Sequence, residues 1–589
     1  MDEPASWLAV TESASRAFED AMGQDAHELG RRYEDLFARD PGHFRWLFDQ
    51  ANRCGDLKTI DLLGEVLSRH EPQDADAQVA RATALLAQER YGEAAATFEQ
   101  LWAIDYRTTR VGYGRAKALA GAGRLEEALA AAKWACQARP DNPRCRALLD
   151  LLLAMAPLHA RRDELRSWSE LRPLLQGYFE LGLRAEAAVL LRRLMRDARA
   201  LDLQPSARIE VAELALRVCP TAEVRSYASE LSSDDPQRLE AIKVACDVLA
   251  GRPAPHCKDE VDPAEDKGLR LWRALACEAS GELPSAIRQL SSLADDHKRD
   301  LYIRGTLARV VGRAVIEQAR PRLAAGGSGK IVNVITFNNE FDLLRMHLEE
   351  MAPLVDRFVI VEAGQTFMGQ DKPLHFQENR AQFADFADRI VHVTVPRFPD
   401  YATTAWARDF HQRDFALTAL QGICGQEDYV LLTDADEIVR PSALDGFVGE
   451  FACLWLAVSC LFLNYRPKSG SPKATRPAAV IVKARHLMQH GLSFVRFFLA
   501  RRGSSAYVVP DAGWHFTSVN DPDRIALKLG SYAHQEQAKE RFRTPAHFRE
   551  QLARIRAGEY EPGWERVDLD DRFPDFIQRN RSALAELIL

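Results

Sequence analysis

Apolar positions along this 589-residue chain follow two different rhythms. Up to about Gln318 they recur at helical spacing in segments rich in Ala, Leu, Arg and Glu, which predicts helix after helix. Three of these segments open alike: Gly55 to Ile60, Glu89 to Ala94 and Gly123 to Ala128 set Leu57, Tyr91 and Leu125 at a constant step of 34 residues. Turn signals such as Ala138 to Pro143 close each unit, because proline stops the second helix. Gly182 to Ala187 and Gly281 to Ala286 are similar but out of step, so the repeat reads most clearly over residues 40–150. Past the small-residue linker 321–330 the rhythm shortens. Apolar runs at Lys330–Thr336, Arg357–Glu362, Arg389–Val395 and Tyr429–Thr433 predict strands, with a helix beginning near Asn339 and another over Ala405–Gly422. Strands alternating with helices predict a mostly parallel α/β sheet.

The 34-residue step is the tetratricopeptide period, and residues 1–320 resemble that family as an α-solenoid, since one helix pair cannot bury its apolar face alone. The fold class expected is therefore α + α/β. Composition adds little: 47% hydrophobic and 28% charged residues are ordinary for a soluble protein. A formal charge of −8 offers no general attraction to nucleic acid. The apolar run Phe451–Leu463 is too short to span a bilayer and reads as buried strand. The acidic first residues carry no signal-peptide pattern, and ten cysteines without a Cys-x-x-Cys pair fit reduced thiols. A cytoplasmic protein without a transmembrane segment is expected.

The chemistry concentrates where the fourth strand ends. Asp434, Asp436 and Glu437 fall within four residues at the tip of an apolar run, and buried carboxylates need a cation or solvent. The carboxyl ends of parallel strands are where α/β sheets bind nucleotides.

Several blocks together resemble glycosyltransferase family seventeen, the bisecting β-1,4-N-acetylglucosaminyltransferases. They are Ile335–Leu344, Val355–Glu362, Thr366–Gly369, Lys372–Leu374, Trp406–Arg408 with Gln412–Arg413, Asp434–Ile438 and Gly513–Phe516. The resemblance implies a GT-A (Rossmann-like) domain over 331–540, followed by a helical extension over 541–589. It implies a UDP-sugar donor, typically UDP-GlcNAc, inverting transfer to a glycan or protein acceptor, and Mn²⁺ or Mg²⁺ as cofactor. On this reading Asp434, Asp436 and His515 hold the metal, with His534 as the competing histidine. Thr336, Asn339, Glu340, Glu362, Arg413, Asp434 and Lys528 meet the donor, with Arg413 preferred to Arg408. The general base is sought among Asp511, Glu437 and Asp445, with Asp511 preferred and Glu437 supporting the metal site. The solenoid would select an acceptor, bind a protein partner or self-associate. The alternative is a scaffold whose solenoid carries the function beside a degenerate sugar-nucleotide domain; the polar stretch Lys468–Arg476 matches no family block.

Overall fold

The computed structural model describes the chain from residue 31, apart from scattered positions up to 56 and from 199–200, 202, 232–235, 251–266, 298–299, 328, 446, 448, 469–470, 472, 497–506 and 532–543. It divides into two compact units, the first running to Ser280 and the second from Gly281.

The first unit is helical throughout its described residues. Helices α1 (Leu57–His70), α3 (Tyr91–Ala103) and α5 (Leu125–Ala138) alternate with α2 (Ala75–Ala87), α4 (Thr109–Gly121) and α6 (Pro143–Ala160). Their first residues, 57, 91, 125 and 75, 109, 143, keep the step of 34 seen in the sequence. The caps keep it too. Asp74, Thr108 and Asn142 each accept a hydrogen bond from the first turn of the helix they precede, from the N–H of Ala77, Val111 and Arg144. Small residues let neighbouring helices close up: a Cβ on Gly114 would overlap the Phe98 ring. Among the described residues seven cysteines are free thiols and Cys277 is disulfide-bonded, which departs from the reduced thiols expected.

The second unit opens with two helices, α7 (Leu283–Asp296) and α8 (Leu301–Ala319). It then builds an eight-stranded mixed sheet in the order β3-β2-β1-β4-β8-β6-β9-β5. Strands β1 (Ile331–Thr336), β2 (Arg357–Ala363), β3 (Ile390–Val395) and β4 (Tyr429–Asp434) are parallel neighbours, as the apolar runs predict. The other half is antiparallel at β8 (Thr475–Lys483), which joins β4 to β6 (Phe451–Cys460); β9 (Tyr507–Thr517) then pairs parallel with β6 and antiparallel with β5 (Glu437–Val439). Helix α9 (Phe341–Met351) follows β1. The helix expected over 405–422 stops at Asp414 as α10 (Ala405–Asp414) and resumes only as the turn Leu417–Leu420. At that point the Asp414 carboxylate accepts from the backbone N–H groups of Leu492 and Ser493, at 2.5 and 3.1 Å.

Past α11 (Pro522–Ser531) the described residues resume at 544. They hold one helix (Pro545–Arg556), a short strand β10 (Trp564–Arg566) paired with β7 (Tyr465–Pro467), and a single turn at Asp575–Arg579. Phe573, Phe576 and Ile577 pack against Ile438, Trp514 and Phe516, which braces β5 and β9 from behind. No helix among the described residues is long and apolar enough to cross a membrane.

Candidate active site

The parallel strands deliver their C-terminal ends to a cleft of ≈370 Å³. Thr336 ends β1 and Asp434 ends β4, in register with each other. The chain then turns through Ala435 and Asp436 into β5. There Glu437 pairs with His515 across the β5–β9 ladder. Gly513 makes that pairing possible: its φ is +150°, and a Cβ there would overlap the Ile438 carbonyl.

The acids of the tip meet fixed cations. Asp434 Oδ1 accepts from Thr336 Oγ1 and, at 2.9 Å, from Arg413 Nη1; its Oδ2 accepts from Arg496 Nη2 at 2.8 Å. The same Arg496 nitrogen lies 2.7 Å from Glu437 Oε2, which also accepts the Asp434 N–H at 2.8 Å. Lys528 Nζ bridges Asp436 Oδ2 at 2.8 Å and Glu340 Oε1 at 3.1 Å. Burial pushes the Asp434 carboxyl up, but Arg413 and Arg496 outweigh it and hold the group well below the usual carboxylate range. Burial likewise opposes ionisation of Asp436, and the Lys528 ammonium prevails. At Glu437 burial wins over Arg496 and pushes the carboxyl up to about 7. Asp434 is the accessible member, with 36% of its side chain exposed against 6% for Asp436 and 4% for Glu437.

His515 faces the same cleft. Its Nε2 lies 3.7 Å from Asp436 Oδ1, and its buried Nδ1 has no hydrogen-bond partner. Burial pushes its pKa down to about 4, so the ring is neutral and keeps a lone pair. One oxygen and one imidazole nitrogen at that separation fit a shared hard cation, of the kind that completes its shell with water and phosphate oxygens. Among the described residues no three His, Cys, Asp or Glu side chains form a ready-made metal cluster, so the protein supplies at most a partial shell.

The cleft collects Thr336, Glu340, Arg413, Asp434, Asp436, Glu437, His515 and Lys528. Arg408 does not join them: it ties the Phe367 and Thr403 carbonyls. Four other expected residues lie elsewhere. Glu362 is fully buried, its oxygens taken by the N–H groups of Phe376 and Gln377 and by His392, so it anchors the chain after β2 and does not line the cleft. Asn339 is buried beside the cleft wall, its Oδ1 without a hydrogen-bond partner. Asp511 is 45% exposed, pairs with Arg440 at 3.2 Å and sits off the cleft, and Asp445 is exposed and off it as well. His534 lies outside the described residues. Arg496, Asp409, Lys372 and Arg476 line the cleft without having been singled out. Arg496 joins Asp434 across 62 residues of sequence, and no local pattern marks such a pair.

Comparison with known proteins bears on the same stretch. The family model of glycosyltransferase family 17 matches residues 321–447. Beta-1,4-mannosyl-glycoprotein 4-beta-N-acetylglucosaminyltransferase of Rattus norvegicus is 30% identical over 136 residues, 21% of this chain and 25% of that protein. Its Homo sapiens counterpart matches to the same extent. The chain thus spans about a quarter of the length of these curated relatives. A solved structure of Naa15/Naa10 bound to HypK-THB overlaps 49% of this chain and 42% of its own at 16% identity, but its TM-score of 0.17 carries no statement about fold. The strands β1, β2 and β4, with the acidic tip between β4 and β5, all fall inside the matched residues: 321–447 are a glycosyltransferase family 17 domain.

Proposed function

We propose that this chain is an inverting glycosyltransferase of GT-A architecture, moving GlcNAc from UDP-GlcNAc to a glycan or protein acceptor. The observation that carries this reading is the acidic tip at the end of β4, which lies inside the matched residues and shares one cleft with three fixed cations. Leaving of UDP develops negative charge on the diphosphate. Arg413, Arg496 and Lys528 stand where preorganised positive charge lowers that barrier without reorganising. Glu437 holds Arg496 and the Asp434 N–H in place and so orients the tip. Asp436 and His515 would hold a Mn²⁺ or Mg²⁺ ion, which supplies Lewis-acid neutralisation of the departing diphosphate.

In the helical unit we read tetratricopeptide-like pairs, stacked to select an acceptor or to associate with a second copy. The test is UDP release from a panel of UDP-sugars by the full chain, with and without excess EDTA. UDP release abolished by EDTA supports the metal-assisted version, and release that persists limits the charge work to the three side chains. Binding of a UDP-sugar without release to any acceptor would instead favour a scaffold with a degenerate transferase domain.

A further inference from the structure

One carboxylate in the cleft is not used by the acidic tip. Asp409 lies on α10, one turn before Arg413, and lines the cleft beside Phe367, Trp406 and Gln412. Its side chain is 15% exposed, and its only ion pair among the described residues is a long one, Oδ1 to Arg413 Nη2 at 3.4 Å. That guanidinium is already committed to Asp434 at 2.9 Å. The other cleft acids are better served: Asp434, Asp436, Glu437 and Glu340 each hold an Arg or Lys nitrogen at 3.1 Å or closer. Burial accordingly raises the Asp409 carboxyl, and Arg413 counters this only in part.

A half-desolvated carboxylate with an idle oxygen gains most from an incoming neutral donor, since an anionic group would be repelled. Hydroxyls are such donors. The half-buried Phe367 ring at the cleft wall offers apolar surface on which a sugar ring packs. We propose that Asp409 accepts hydrogen bonds from sugar hydroxyls of the bound nucleotide-sugar and thereby selects among donors; this rests on the glycosyltransferase reading above. The hydroxyls belong either to the ribose or to the transferred hexose.

Calorimetric titration of the full chain separates these sources. The probes are UDP against 2′-deoxy-UDP for the ribose, and UDP-GlcNAc against UDP-GalNAc for the hexose. In the wild type one pair differs by roughly tenfold, the scale of one charged hydrogen bond. Asp409→Asn, which keeps the side-chain shape, and Asp409→Ser, as a second variant, bring that ratio to within about twofold and leave the other pair's ratio as it was. A carboxylate that only oriented Arg413 would weaken both members of each pair alike, so ratios that survive both substitutions overturn the inference, as does a wild type without preference in either pair. A wild type that binds none of the four probes overturns the glycosyltransferase reading and the inference with it.

Discussion

The two units of this chain bury their interiors in opposite ways. The helical unit fills its core with Ala and Leu and gains close approach by small residues: Ala116, Ala118 and Ala128 are all fully buried, and Gly114 admits Phe98. The α/β unit places polar side chains at its centre instead. Asn333, His347 and Thr433 are fully buried beneath the acidic tip, with His347 Nε2 2.7 Å from Asn333 Oδ1 and Asn333 Nδ2 2.8 Å from Thr433 Oγ1. Burying polar groups is unfavourable unless each finds a partner, and a satisfied network then fixes one geometry. A repeat needs only to stack, whereas an acid tip needs its side chains held in place. The contrast predicts that substitutions in one unit change stability alone, and in the other change chemistry as well.

The largest expected effect is on turnover. Asp436→Ala should lower UDP release by about a hundred- to a thousandfold, the scale of losing one preorganised charge interaction in a transition state. Circular dichroism and UDP-release assays together check it, since a preserved fold with full turnover contradicts the role of the tip. Next comes Arg496→Met, which leaves Asp434 with Arg413 alone and Glu437 without a cation. Breaking a buried pair in this way is expected to destabilise the α/β unit by about 3–5 kcal/mol, read from denaturant unfolding. If stability is unchanged, the pairing across the cleft is not holding the tip.

Smaller effects sharpen the comparison. Gly114→Ala drives a methyl into the Phe98 ring and should destabilise the helical unit by about 1–3 kcal/mol while turnover on a small acceptor stays as it was. A matched loss of turnover would couple the two units. The smallest effect concerns Asp414, whose carboxyl is pushed up to about 7 by burial, against the hydrogen bonds it accepts from Leu492 and Ser493. A pKa raised on folding favours the native state at low pH, and that contribution is lost as pH rises through about 7. Asp414→Asn removes the penalty of ionisation, so its stability relative to the wild type should rise between pH 5 and pH 8, on the order of 1–3 kcal/mol. Calorimetric melts at both pH values check the sign.

The sequence makes the parallel half of the sheet legible because its strands are short, mostly apolar runs, interrupted by Asn333 inside β1 and by His392 and Thr394 inside β3. The tip is legible for the same reason: Asp434 interrupts such a run where Val430, Leu431 and Leu432 are buried. The 34-residue step, capped at Asp74, Thr108 and Asn142, is likewise local information. What escapes is non-local. Arg496 reaches the cleft through a tertiary contact that no spacing encodes, and Glu362, the penultimate residue of β2, is turned inward by the amides of Phe376 and Gln377. Asp511 stands two residues from Gly513, yet the two lie differently: Gly513 pairs with Val439, while Asp511 reaches out to Arg440.

One seam runs through the sheet, between β4 and β8, where strand direction reverses. The family match ends at residue 447, after β5 and before β6. The strand that delivers Asp434 meets the antiparallel half of the sheet through four residue pairs, Tyr429–Leu432 against Val480–Lys483. The position of the tip is therefore tied to both halves of the sheet, and a shift of β8 along this border would move Asp434 with it.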